Sequence, residues 1–380
     1  VLNHYYDSVD KKPSGFAARR AGELVTQFLC DECGFGAAVK VATFSKGMQE
    51  RFAQWSAETF EHSPSYVSRN LSVIAAAFRY GTKDVVRRTP EGDMREVRML
   101  RFAPNVYYDK KWLAEVMDRP EPGPRDYIPS FEDLASLLDM PGSAVLRRYD
   151  IIALNTWARP QAIVDLRVST QVDLKAGLVD LNPPGRRQTK KRRPLLRLTK
   201  NLRAWLELWG DNAPLSKPIL DEGGEIREVR VVSYVKKQFN RRTFRWMLAR
   251  HGVAGDRIAE LEAGLRRGDP DPFWAAIDAA EAAGIRRVTR YTIRHFMATQ
   301  IRNLAEVKVD REQRRMWLGH VEGDTTSWYE THDPEYLQAC ADGTDLIIAR
   351  LDALTTRPLV PKTLKARIAG ARISVVRRKA

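Results

Sequence analysis

The sequence predicts a mainly α-helical chain with a small antiparallel β-sheet, organised as two domains. Three observations lead there. Apolar residues recur at helical spacing through the first third of the chain. A Pro- and Gly-rich run, RPEPGPRDYIP at Arg119–Pro129, then interrupts the pattern and reads as a semi-extended linker. Beyond it, two short β-like runs flank the polar, basic stretch RRQTKKRR at Arg186–Arg193, which describes a hairpin with a positively charged tip. The 380 residues are enough for two domains of ordinary size.

The elements follow in order. Ala17–Leu29 and Ser45–Glu58 are expected as helices, the second with Met48, Phe52 and Trp55 on one face. Ser63–Tyr80 is the clearest helix. Ser63 serves as its cap, Pro64 suits its first turn, and Val67, Leu71, Ile74 and Phe78 make one apolar stripe before Gly81. Asp84–Asp118 is expected to pair strands or to wrap the linker. Ser130–Met140 opens with Ser130 as cap and Asp133 in the place of a capping-box acid. Arg147–Thr156 is the next helix. Arg159 precedes Pro160, and the residue before proline is driven out of helical geometry, so Arg159 stands at a break between helices. Leu178–Leu181 and Pro194–Thr199 are the strands of the basic hairpin. From Asn201 onward helices dominate, and Gly252–Gly284 reads as helix without chemistry. Asp333–Leu354 carries an apolar stripe.

Charge narrows the partners. The chain holds 63 Lys and Arg against 48 Asp and Glu, a net +15, which points to a polyanion. The excess gathers in three places: Arg186–Arg193, KKQFNRRTFRWMLAR at Lys236–Arg250, and the closing VVRRKA. Separate clusters suit a long ligand that is wrapped, and nucleic acid fits better than a membrane surface. Candidate phosphate contacts are Arg69 and Arg79, off the stripe of their helix; Arg186, Arg187, Lys191, Arg192 and Arg193 at the hairpin; and Arg241 and Arg242. No apolar run approaches a bilayer span, and Val1–Asp10 lacks a signal-peptide pattern, so a cytoplasmic location is expected. Cys30 and Cys33 form a C-x-x-C with no second Cys/His pair at zinc-finger spacing, so no metal site is expected. A P-loop and a dinucleotide fingerprint are missing from the sequence.

Four pieces remain: Arg159 at its helix break, the hairpin tip around Lys190, the run Arg290-Tyr291-Thr292-Ile293-Arg294-His295, and Leu318-Gly319-His320 followed by Tyr329. In this order they resemble the tyrosine recombinase (phage integrase) family. That family carries a first arginine, a hairpin lysine, an H-x-x-R-H helix, an L-G-H, and a tyrosine nine residues beyond that histidine. The resemblance covers nearly the whole chain up to about Ala353. It implies a helical core-binding domain at 1–122 with a linker at 119–129, a mixed α+β catalytic domain at 123–356, and a basic tail at 357–380. It implies site-specific recombination or integration through a 3′-phosphotyrosine intermediate, without cofactor, metal or ATP. The implied partners are double-stranded DNA, three further copies in a tetramer on paired sites, and accessory DNA-bending proteins. The Asp333–Leu354 stripe would dock on a neighbour, and the protein would be nucleoid-associated when bound.

The chemistry accounts for the residue types. A tyrosine hydroxyl, with a pKa of about 10, is a weak nucleophile, and its target phosphodiester is already negative. Arg159 and Arg294 offer permanent charge and planar forks for the phosphate oxygens. His320 donates a further hydrogen bond, Lys190 delivers a proton to the leaving oxygen with Lys191 as its neighbour, and Tyr329 attacks. His295 joins the site. Tyr336 is a competing nucleophile at the wrong distance from His320, and Trp328 is assigned to packing. The sequence departs from the family's pattern where Tyr291 replaces a histidine three residues before the second arginine. It departs again at Ala162, where an acid often stands three after the first arginine, with Gln161 and Asp165 flanking. The tail is the third departure. Two alternatives follow: a catalytically weakened DNA-binding relative, with Tyr291 as the symptom, or a type IB-like topoisomerase.

Overall fold

The computed structural model describes residues 1–10, 15–36, 39–88, 94–121, 127–189, 191–210, 215–220, 226–230, 232–320 and 334–364. Lys190, Trp328, Tyr329 and the tail from 365 onward lie outside the described residues. The chain forms two compact units, Val1–Asp126 and Tyr127–Ala380.

The first unit contains α1 (Leu2–Val9), α2 (Gly15–Gln27), α3 (Lys46–Phe60), α4 (Pro64–Gly81) and α5 (Lys110–Val116), with a hairpin of β1 (Val85–Arg88) and β2 (Met94–Val97). Ser45 and Ser63 cap α3 and α4, accepting from the amides of Met48 and Tyr66. The stripe Val67, Leu71, Ile74 and Phe78 is buried against Phe28, Phe52 and Leu113. Phe28 and Phe52 meet edge to face at 5.5 Å. Gly81 ends α4 without a left-handed cap. Its carbonyl instead takes the amides of Met99 and Leu100 returning from the hairpin. The fully buried Gln49 bonds Phe44 and Asn105 carbonyls and the Tyr107 amide, tying the chain after β2 to the bundle. Arg69 and Arg79 are exposed on α4. Cys33 packs its sulfur against that of Met48, and all three cysteines are free.

The second unit contains α6 (Phe131–Asp139), α7 (Ala144–Thr156), α8 (Pro160–Val164) and α9 (Val168–Gln171). The three-stranded antiparallel sheet β3 (Val172–Asp173), β4 (Leu178–Asp180) and β5 (Leu195–Arg197) follows. Then come α10 (Lys200–Trp209), the hairpin β6 (Ser216–Leu220) and β7 (Ile226–Arg230), α11 (Val232–Arg250), α12 (Gly255–Arg267) and α13 (Asp271–Ala282). The last helices are α14 (Arg290–Arg302), α15 (Arg311–Leu318) and α16 (Gln338–Leu354). Strand β4 pairs β5 with Val179 opposite Leu196, both buried on the core side of the basic hairpin. Ser130 caps α6 through the Asp133 amide, while the Asp133 carboxylate pairs with Arg250 at 2.8 Å. The sequence does not announce β3, which is two residues long, or β6, where Pro218 argues against a strand.

Helix α16 corrects one expectation. Its apolar stripe, including Cys340, Ile347, Ile348 and Leu351, is buried in its own unit against α6, α7, α10 and α14. The stripe is therefore core, not a face held out to a neighbouring copy. Among the described residues no helix is long and apolar enough to cross a membrane.

Candidate active site

The site is built at helix ends. Helix α7 terminates in Trp157, which adopts left-handed geometry (φ 49°, ψ 25°) and turns its carbonyl away from the helix. Such a conformation is uncommon for a bulky residue and must be held by its surroundings. The fully buried indole packs on Trp317 of α15, ring centres 5.2 Å apart. Two residues on, Arg159 is extended (φ −64°, ψ 143°), as its position before Pro160 requires. Its Nη1 donates to the carbonyl of Arg192 at 2.9 Å.

Helix α14 presents Arg294. Its start is set by a reciprocal box in which Thr289 and Thr292 each accept the other's backbone N–H. Arg294 is buried at 8% exposure. Its Nη1 donates to the Trp157 carbonyl at 2.7 Å, and its Nη2 donates to the Leu318 carbonyl at 2.6 Å. Both acceptors are helix-end carbonyls with no helical partner, where a cation is favoured.

Helix α15 brings His320. Asp310 and Gln313 form its capping box, and Gly319 closes it in left-handed geometry (φ 64°, ψ 40°). The amides of Gly319 and His320 return to the carbonyls of Met316 and Arg315. A side chain at Gly319 would fail twice. The positive φ disfavours it, and a Cβ would lie 2.4 Å from the Arg192 carbonyl oxygen. Nε2 of His320 lies 3.3 Å from Arg294 Nη2. A guanidinium only donates, so Nε2 accepts and the ring proton sits on Nδ1.

The electrostatics are one-sided. Burial, then the charge of Arg159, pushes the pKa of Arg294 down to about 10. Burial and the charge of Arg193 lower that of Arg159. Partial burial of the ring, with Arg294, Arg159 and Arg315, lowers that of His320, although the residue keeps an exposed edge. Both arginines remain cations at neutral pH, and His320 is neutral there. Among the described residues no carboxylate pairs with Arg159 or Arg294. Among the described residues the cluster is thus a concentrated positive charge without a paired carboxylate, suited to an anion.

The other sequence candidates divide. Tyr291 is 46% exposed, and its phenol lies in electrostatic range of Arg159 and Arg294. His295 is exposed beside the buried Arg294. Arg187, Lys191 and Arg192 are exposed, and Arg186 is half-buried with Nη1 donating to Asn182 at 2.6 Å. Tyr336 donates its hydroxyl to Asp310 at 2.8 Å, and burial and that carboxylate push its pKa up to about 12. Lys190 and Tyr329 lie outside the described residues.

Two expected phosphate contacts are corrected. Arg193 is buried and paired with Asp165 at 2.8 Å. Arg242 is buried and forks onto the fully buried Asp150. Neither guanidinium is available to a phosphate. Arg241 keeps an exposed side, but it and Arg245 both clasp Glu262. Sequence reasoning also missed the three carbonyls of Trp157, Arg192 and Leu318. Backbone acceptors carry no residue signature, so nothing in the chain points to them. Asp165 was legible only as an acid near Arg159.

No protein-family model and no curated protein matches the sequence. Solved structures do. The XerA recombinase is 14% identical, covering 89% of this chain and 96% of its own at a TM-score of 0.28, too low to argue from. The Tn1549 transposon integrase, solved in complex with transposon right end DNA, is 12% identical, covering 89% of this chain and 97% of its own at a TM-score of 0.50. The chain has the tyrosine recombinase/integrase fold, mainly helical with small antiparallel sheets.

Proposed function

We propose that this chain breaks and rejoins DNA strands as a site-specific recombinase or integrase, through a covalent bond between Tyr329 and a 3′-phosphate. One observation carries the reading: the Arg159 and Arg294 guanidinium groups converge beside His320, and among the described residues no carboxylate pairs with either of them. The fold of the solved integrase supports it.

In this reading the scissile phosphate sits against Arg159 and Arg294. Each guanidinium is held from behind by a neutral carbonyl, so its charge is left for the non-bridging oxygens. The Nδ1–H of His320 supplies another donor. Tyr329 attacks phosphorus as its phenolic proton passes to solvent water, the 5′-oxygen leaves, and Lys190 gives that oxygen its proton. The new phosphotyrosine conserves the bond energy, so a 5′-hydroxyl from another strand can reverse the step. Tyr291 stands where the family has a histidine, and since a phenol is a poor base its part is to orient the attacking hydroxyl by hydrogen bonding. Double-stranded DNA is the proposed partner, gripped by Arg69 and Arg79 of the first unit and by Arg187, Lys191 and Arg192 of the hairpin. Assembly as a tetramer on paired sites, help from DNA-bending proteins and a cytoplasmic, nucleoid-associated location belong to the same proposal. So does the division into a core-binding domain at 1–122 and a catalytic domain at 123–356.

The test uses a nicked duplex, selected for tight binding from a random pool, in which cleavage is trapped by loss of the short strand. The wild-type chain should form a covalent protein–DNA adduct, and Tyr329→Phe should form none. An adduct with Tyr329→Phe removes Tyr329 as nucleophile. The exposed Tyr291 favours a second reading, a DNA-binding relative with cleavage lost. It predicts the same salt-dependent binding with no adduct from the wild-type chain.

A further inference from the structure

Arg193 came out of the sequence as a phosphate contact, and its burial needs another reason. Helix α8 is five residues long, with Arg159 at its start and Asp165 at its end. Its two ends grasp two adjacent residues of the hairpin, one each. Arg159 donates to the Arg192 carbonyl at 2.9 Å, and Asp165 accepts from Arg193 Nη2 at 2.8 Å. Gln161 holds the other oxygen of Asp165 at 3.0 Å. Gln188 closes the hairpin from inside, donating to the Arg193 carbonyl and accepting from the Arg193 amide. The Arg192 carbonyl also fills the space a side chain at Gly319 would need, 2.4 Å from that Cβ position. One carbonyl thus touches both Arg159 and the turn that carries His320.

The ion pair is poorly suited to be mere ballast. Arg193 Nη1 is buried with no hydrogen-bond partner among the described residues. Burying two charges costs desolvation that apolar residues would avoid, and the best-attested use of such pairs is to fix register. Here the register in question is that of residues 191–194 against α8.

We propose that Asp165 and Arg193 are positioning residues for strand cleavage: they hold the Arg192 carbonyl, and through it aim Arg159 and seat the Gly319-His320 turn against the scissile phosphate. Neither touches the DNA. The inference rests on the strand-cleavage reading above.

Asp165→Asn keeps the shape and removes the charge, and Arg193→Lys keeps the charge and removes the fork. Each full-length variant is compared with the wild type for adduct formation on two nicked duplexes. One carries the ordinary phosphodiester at the cleavage position, mapped first with the wild type. The other carries a methylphosphonate there, which lacks the negative charge that Arg159 neutralises. Misaiming a guanidinium should slow the phosphodiester reaction by about ten- to a hundredfold. On the methylphosphonate the variants should stay within about threefold of wild type, the pattern Arg159→Ala itself should show. Equal losses on both duplexes, or no loss on either, overturn the positioning role. If Asp165→Asn does not fold, as judged by its thermal transition, Arg193→Lys and Gln188→Ala carry the same comparison. A wild-type chain that forms no adduct on any duplex removes the strand-cleavage reading, and the positioning role with it.

Discussion

Two groups of arginines in the second unit look alike in the sequence and are built in opposite ways. Arg159 and Arg294 end on the carbonyls of Arg192, Trp157 and Leu318. Arg241, Arg242 and Arg245 of α11 end on the carboxylates of Glu262 and Asp150. A carbonyl dipole satisfies the donors and leaves the charge. A carboxylate satisfies both, and the guanidinium has little left for an outside anion. The first group is therefore electrostatically primed, with Arg294 lowered to about 10 by burial and by Arg159. The second is a set of structural braces.

The contrast breaks most readily at Asp150. Asp150→Ala strands the buried charge of Arg242, and a loss of about 3–5 kcal/mol is expected, read from the urea midpoint at unchanged slope. DNA affinity should keep its salt dependence, because Arg242 makes no phosphate contact. If Asp150→Ala is as stable as wild type, the brace is wrongly assigned.

Arg294→Lys tests the primed group. It keeps a charge and loses the fork, so adduct formation should fall by about 10²- to 10³-fold while binding barely changes. A binding defect with normal cleavage would place Arg294 in the grip rather than at the phosphate.

Gly319→Ala sharpens the geometry. Left-handed backbone and the Arg192 carbonyl both oppose the new methyl group. A destabilisation of about 1–3 kcal/mol is expected together with slowed cleavage, since the turn carries His320. Normal cleavage by this variant would uncouple the hairpin from the site.

Glu262 distinguishes the groups by pH. Burial raises its carboxyl, but the forks of Arg241 and Arg245 outweigh that and hold it down, from 4.5 to about 2. A lowered folded pKa means stability that is present above the unfolded value and lost as pH falls toward the folded one. Glu262→Gln should be less stable at neutral pH by about 1–2 kcal/mol, after allowance for solvent screening, and should converge on wild type toward pH 2. Parallel stability curves down to acid pH would argue against the brace.

The smallest effect is at His320. Burial of its ring, and then the cations beside it, should put its midpoint in an NMR titration below 6.5. Inorganic phosphate, by neutralising the cluster, should raise that midpoint, and an unchanged midpoint would argue against an anion site there.

Much of the helical architecture was legible because its signals are local. Ser63 and Ser130 cap where their sequence context places them, and the α4 stripe is buried as its period demands. The L-G-H turn obeys an equally local rule, since Gly319 ends α15 in the left-handed backbone that glycine favours. The basic stretches were not. Nothing in KKQFNRRTFRWMLAR says that Asp150, 92 residues earlier in sequence from Arg242, waits to neutralise it. The α16 stripe was likewise ambiguous, because an amphipathic helix looks the same whether it packs on its own core or on a neighbour.

By itself, then, the sequence determined the helices and their ends, the basic hairpin and the order of the candidate residues, all of which follow from neighbours a few positions apart. Only the tertiary structure decided which arginines keep their charge. That depends on what lies beside each guanidinium in space. For Arg159 and Arg294 it is the carbonyls of Trp157, Arg192 and Leu318, acceptors that every residue possesses and no sequence pattern can single out.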